Sequence, residues 1–260
     1  MDDSDAILIT ERRSTHVLLL RLNRPEKRNA LATDLLGQLA DALDRAAAEA
    51  VIRAVVITGS DKVFAAGADI NELAARDTSG ALSDPRPAIW ARIRAFPKPL
   101  VAAVEGWSLG AGNELVMCCD LVVSGKGAKF GQPETNLGII PGAGGTATLP
   151  RIVGRATAMK MVLLGEPLTA EAALAAGLVS EVTENGNAIA VALSLAERIS
   201  SRAPIAMQQS KAMVRAAFET HQTAHLALER QAFSALFGTR DKEEGTTAFF
   251  EKRDPVWRGC

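Results

Sequence analysis

The chain carries no excess of either charge. Its 29 lysines and arginines face 30 aspartates and glutamates across 260 residues, a formal net charge of -1. Nothing at the level of the whole chain selects a polyanion, so no nucleic-acid partner is expected. Cysteine is scarce. Of three in all, Cys118 and Cys119 are neighbours in an apolar stretch and the third is Cys260. This pattern offers neither a disulfide framework nor paired metal-ligand spacing, so a reducing compartment is expected, and no metal. No apolar run is long enough to span a bilayer. The start, Met1-Asp-Asp-Ser-Asp, lacks the basic-then-apolar layout of a signal peptide. There is no exact repeat and no low-complexity segment. These absences leave a globular cytoplasmic protein without a membrane partner, large enough for one domain with an appendage.

Hydrophobic periodicity outlines the chain. Val17 to Leu22 reads as a strand closed by Asn23-Arg-Pro25. Leu31, Leu35, Leu39 and Leu43 then recur every fourth residue, one face of an amphipathic helix. Ala54 to Thr58 is a second strand, and strand–helix–strand opens an α/β unit. Further strands are expected at 100–104, 121–123, 128–130 and 179–182. Helices are expected at 110–117, 144–153, 155–164 and 169–176, the last with Gly177 as its C-cap. Beyond about residue 187 only helices follow, at 188–201, 204–217, 219–237 and 241–252. Residues 74–84 are small and polar, which suits a mobile loop beside a site.

Three small-residue turns carry the chemistry. Phe64-Ala-Ala-Gly-Ala-Asp-Ile70 and Gly106-Trp-Ser-Leu-Gly-Ala-Gly-Asn-Glu114 each let backbone N–H groups approach a substrate oxygen. If the N–H groups of Ala68 and Ala111 converge, they form an oxyanion hole. Alone, each turn is also an ordinary strand-to-helix connection. Glu114 is expected in the first turn of a helix, and Glu134, in Phe130-Gly-Gln-Pro-Glu134, in a loop. Two carboxylates can hold a water and manage both protons of its addition to a double bond. Pro141-Gly-Ala-Gly-Gly145 lacks the lysine and hydroxyl of a phosphate loop. His221 and His225 share a helix face, but no third metal ligand is apparent. Cys118 reads as core packing.

These residues closely resemble the crotonase, or enoyl-CoA hydratase/isomerase, family, over nearly the whole chain. The match adds Asn29-Ala-Leu31 and Ile140-Pro-Gly-Ala-Gly-Gly-Thr146 to the motifs above. The resemblance implies an α/β spiral of ββα units over 1–195 and a C-terminal helical region, 196–260, that builds trimers, usually paired into hexamers. It implies Ala68 and Ala111 as oxyanion donors, Glu114 and Glu134 as the catalytic pair, and Gly142 as placing the water. Ala66, Asp69, Ile70 and Asn71 would follow the acyl-CoA pocket. Lys27, Arg28 and Lys252 would approach CoA. No cofactor is implied beyond the CoA of the substrate.

The implied reaction is reversible syn hydration of a trans-2-enoyl-CoA to a 3-hydroxyacyl-CoA. Glu114 would take the water proton and Glu134 would deliver one to C2. Isomerisation of the double bond is the nearest alternative, and a non-catalytic CoA- or RNA-binding member a more distant one. The family's usual Thr-Gln-Arg is here Thr146-Ala-Thr148, which removes a basic side chain. Residues 82–92 and 241–249 resemble members of phenylacetate catabolism acting on 2,3-dehydroadipyl-CoA. Arg86 and Arg92 are accordingly candidates for meeting a distal carboxylate.

Overall fold

The computed structural model describes residues 6–260; the acidic segment at 1–5 lies outside them. An antiparallel hairpin opens the fold, β1 (Leu8–Arg12) with β2 (Val17–Leu22), Leu8 opposite Leu22. Helix α1 (Thr33–Ala48) then carries the chain to β3 (Ala54–Thr58), parallel to β2. From here the chain alternates between two sheets. β4 (Val63–Ala65) lies in the second sheet, β5 (Leu100–Val104) in the first, β6 (Trp107–Leu109) in the second, β7 (Leu121–Gly125) in the first and β8 (Lys129–Gly131) in the second. β9 (Leu168–Thr169) closes the second sheet antiparallel to β8, and β10 (Glu181–Thr183) the first, parallel to β7. The orders are β1-β2-β3-β5-β7-β10 and β4-β6-β8-β9. Helices return the chain after each strand pair: α2 (Ile70–Ala74), α3 (Thr78–Leu82) and α4 (Arg86–Arg94) after β4, α5 (Ala111–Cys118) after β6, and α6 (Gly145–Leu164) after β8. This is the expected spiral of ββα units.

The central parallel strands β3 and β5 are buried at every residue because both of their faces are covered. Leu18, Leu20 and Leu22 of β2 face the inner core with Leu35, Leu39 and Leu43 of α1. Val17 and Leu19 face the other way, against α8 (Ala188–Ser200). That helix presents Ala192 and Ala196, four residues apart and fully buried, to Val56, Val101 and Val123 of the sheet. Only small side chains allow so close an approach over a pleated surface. The chain continues through α7 (Ala170–Ala175), which precedes β10, and ends in α9 (Pro204–Ala216), α10 (Gln222–Leu236) and α11 (Arg240–Glu251).

Several expectations need correction. Residues 74–84 are not wholly open loop: α3 occupies five of the eleven, its first turn capped by Asp77, which accepts from the Gly80 N–H at 2.8 Å. The boundary at 195 falls inside α8, whose apolar face belongs to the sheet. The last strand of the first sheet starts at Glu181; Val179 packs into the core instead. By contrast, the expected pair of helices at 144–153 and 155–164 is present: Gly154, at φ 78° and ψ 159°, leaves helical geometry and divides the run Gly145–Leu164 in two. No helix among the described residues is long and apolar enough to cross a membrane.

Helix α8 is seated by a buried acid. Glu105, 5% exposed just after β5, accepts from the Gly186 and Ala188 N–H groups at 2.8 and 3.1 Å. These are otherwise unmet donors at the helix start. Glu105→Ala is expected to lower stability by about 2–3 kcal/mol in urea unfolding, as loss of charged hydrogen bonds to buried donors should.

Candidate active site

The turns at Gly67 and Gly110 meet. Gly110 stands at φ 50° and Gly67 at φ 120°, and a Cβ added to Gly110 would lie 3.7 Å from the Gly67 Cα and 3.1 Å from Glu134 Oε1. Both backbone angles favour glycine, and at Gly110 the Glu134 side chain leaves little room for a Cβ as well. Ala68 and Ala111 follow these glycines directly. Ala111 is the first residue of α5, so its N–H is one of the helix's free terminal donors. Neither N–H has an acceptor among the described residues. Both residues line one cavity of about 340 Å³, together with Ala66, Ile70, Glu114, Glu134 and Gly142. The structure thus brings the two turns and both glutamates to one place.

Glu114 is 3% exposed in the first turn of α5. Its Oε1 accepts from the N–H groups of Ala143 and Gly145, at 2.8 and 2.7 Å, where the chain turns into α6. Burial raises its pKa above the usual carboxylate range, against the opposing pull of those two N–H groups and of Arg94. Glu134 opens a short 3-10 turn rather than lying in free loop. Its Oε1 accepts from Gln132 Nε2 at 3.1 Å, while Oε2 is buried without a partner among the described residues. Burial, with the Glu114 charge adding to it, pushes Glu134 up to about 7. The arrangement therefore offers one carboxylate with anion-stabilising donors and one that holds a proton near neutral pH.

Three further residues support this pair, and two of them, Asn113 and Gln132, stand inside the glutamate motifs themselves. Gln132 Oε1 accepts from Asn113 Nδ2 at 2.9 Å, and both side chains are fully buried. Polar residues beside each glutamate within apolar surroundings were the available signal. Arg94, at the end of α4, donates to the Ala143 carbonyl at 3.0 Å and so steadies the turn that grips Glu114. Its own carbonyl takes a bond from Arg215 of α9 at 2.6 Å. No sequence pattern marks it. Arg94 and Arg215 also line a larger cavity, about 790 Å³ beneath α9, which shares Glu114 and Ala143 with the smaller one.

Other expected residues lie elsewhere. Asp69 does not line the cavity. It caps α2 and pairs with Arg24 at 3.1 Å, which holds its carboxyl low although burial alone would raise it. Asn71 is exposed and outside the lining. Lys27 and Arg28 are exposed on a 3-10 turn, and Lys252 is exposed at the end of α11. None of the three lines the cavity. Arg86 does, whereas Arg92 is turned to Asp41 and Asp44 of α1. Burial drives the Cys118 thiol up to about 11, consistent with packing rather than nucleophilic use.

The raised pKa of Glu134 has a sign that can be checked. The folded state holds a proton that the unfolded chain releases near 4.5, so this group's favourable contribution is present below that pH and lost as pH rises through about 7. Glu134→Gln keeps the neutral form at all pH. The variant is expected to exceed the parent in stability at pH 8 by an amount on the order of 1–3 kcal/mol, with the difference shrinking toward pH 5 in denaturant titrations.

Residues 12–260 match the family model described as enoyl-CoA hydratase/isomerase. A 2,3-dehydroadipyl-CoA hydratase of Escherichia coli K12 is 50% identical over 95% of this chain and 97% of its own length. A mitochondrial enoyl-CoA hydratase of Pongo abelii is 41% identical over 95% of this chain and 86% of its own. The solved enoyl-CoA hydratase of Bacillus anthracis superposes with a TM-score of 0.93 at 33% identity, covering 98% of this chain and all (100%) of that one. With its motifs, spiral and paired glutamates, the chain belongs to the enoyl-CoA hydratase/isomerase family.

Proposed function

We propose that the chain adds water, reversibly and syn, across the 2,3 double bond of a trans-2-enoyl-CoA, and that 2,3-dehydroadipyl-CoA is its preferred substrate. The observation that carries the reaction is the shared cavity: two free backbone donors and two carboxylates of unlike environment border one space. The thioester oxygen sits between the N–H groups of Ala68 and Ala111. These stabilise the enolate that develops as water attacks C3. Glu114 takes the proton from water as the C3–O bond forms. Glu134, protonated at the start, gives its proton to C2. The products are the 3-hydroxyacyl-CoA, a protonated Glu114 and an ionised Glu134, and proton exchange with solvent restores the pair. Gly142, exposed on the cavity wall, contributes to placing the water. The chemistry draws on no cofactor beyond the CoA of the substrate.

The substrate preference draws on the dehydroadipyl-CoA hydratase relative. Lys27 and Arg28 meet the nucleotide end of CoA, and Lys252 approaches CoA from a neighbouring subunit. That placement requires association, and the helical end offers a surface for it: Phe249 and Phe250 are 78% and 81% exposed, with Phe233, Phe237 and Leu226 also open to solvent. Exposed aromatics in such number mark a protein–protein surface. The assembly is a homotrimer or a dimer of trimers.

Loss of the enoyl-thioester absorbance with 2,3-dehydroadipyl-CoA, with product mass confirming added water, tests the reaction. Solvent deuterium entering substrate without a hydroxyacyl product would make the chain an isomerase. Ala111→Pro removes a proposed donor at the first helical position, where proline fits and the preceding glycine has no Cβ to clash. It is expected to cut kcat about 100- to 1,000-fold with little loss of stability. A Glu134 that must be protonated predicts that kcat/KM for hydration falls as pH rises above about 7.

A further inference from the structure

We propose that Arg86 is a specificity-determining residue of this cavity, the cation that receives a carboxylate at the far end of the acyl chain. This rests on reading the cavity as the acyl site. Its charged lining residues are Glu114, Glu134, Asp84 and Arg86, so Arg86 is the single cation among them. The surrounding wall is apolar, made by Leu73, Ala81, Pro87, Trp90 and Ile140. An apolar passage with one guanidinium in its wall suits an acyl chain that is hydrocarbon in the middle and anionic at the end.

The guanidinium is held in place before any ligand arrives. Arg86 Nε and Nη2 grip Asp84 Oδ2 at 2.7 and 2.6 Å, and the other oxygen of Asp84 accepts the Arg86 backbone N–H at 2.9 Å. Arg76 Nη1 donates to the same Oδ2 at 2.7 Å. One half-buried carboxylate therefore serves two guanidinium groups, and Arg86 Nη1 has no partner among the described residues. The next acid, Glu72, is 3.7 Å from Arg76 but is bonded to the Thr33 N–H and hydroxyl and does not line the cavity. A bound carboxylate would supply the counter-charge that Asp84 divides between two cations. A hydrocarbon tail in the same place would strip water from Arg86 and return nothing, so the cluster both attracts the right chain and penalises the wrong one. Preorganisation by Asp84 limits the entropy lost on binding.

Calorimetric binding of adipyl-CoA and hexanoyl-CoA tests this without turnover. The two are saturated, equal in chain length, and differ in the terminal carboxylate. The parent is expected to bind adipyl-CoA about 10- to 100-fold more tightly, and Arg86→Gln to bring the two together by weakening adipyl-CoA alone. Arg76 remains on Asp84 in that variant, so the carboxylate keeps a counter-charge. Arg86→Lys should retain part of the preference, and Arg92→Gln, outside the cavity, all of it. Equal binding by the parent, or a preference that survives Arg86→Gln, would overturn the assignment. Because neither ligand can be hydrated, the result is independent of whether the chain proves to be a hydratase or an isomerase.

Discussion

A single carboxylate oxygen joins the two halves of the site. Glu114 Oε1 receives two backbone N–H groups from the turn at 143–145, and through them the start of α5 is fastened to the start of α6. The arrangement is demanding. A Cβ on Gly145 would come within 3.0 Å of that oxygen and 2.7 Å of Gln132 Nε2, so the chain must be bare there. Arg94 bonds the carbonyl of the same turn from outside. Without these donors, a carboxylate buried this deeply would give up its charge, and the position of the adjoining cavity wall would go with it.

The same enclosure that holds Glu114 explains why its neighbour differs. Glu134 is taken out of water without receiving a pair of N–H donors, and it feels the charge of Glu114 across the cavity. Identical side chains thus acquire different proton affinities from their surroundings alone. Asn113 and Gln132 extend this division: their bond spans the space between the two glutamates' own elements, leaving Gln132 Nε2 for Glu134 and nothing for Glu114. A hydrogen-bond network that is buried and directional in this way fixes the relative position of two groups whose separation decides what fits between them.

Much of this was legible in the sequence, and the parts that were not share a cause. Elements such as the periodic α1 and the fully buried β3 and β5 announce themselves through their own side chains. The short β4 and β6, three residues each, have no period to read and exist because neighbouring turns of the spiral pair them. That Ala68, Ala111, Glu114 and Glu134 border one space could be anticipated because turn composition is local. Asp69 stands off the cavity because its part in the motif is to cap α2 and pair with Arg24, a contact across a long stretch of chain. Arg94 was invisible for the converse reason: its work is done on a backbone carbonyl, which any sequence provides.

The strand order also governs when the site can exist at all. Within the six-stranded sheet only β1 and β2 are joined by a short hairpin; every later pairing in that sheet closes a long loop. Gly67 lies in the loop closed by β3 and β5, Gly110 in that closed by β5 and β7, and Glu134 in that closed by β7 and β10. Loop-closure entropy makes such non-local pairings slow to form. A nascent chain therefore acquires its hairpin early and its reactive groups late. Partly folded molecules carry exposed strand edges but no assembled carboxylate pair, so catalytic competence appears only as the last closures complete, and a chain halted short of them is an aggregation risk before it is ever an enzyme.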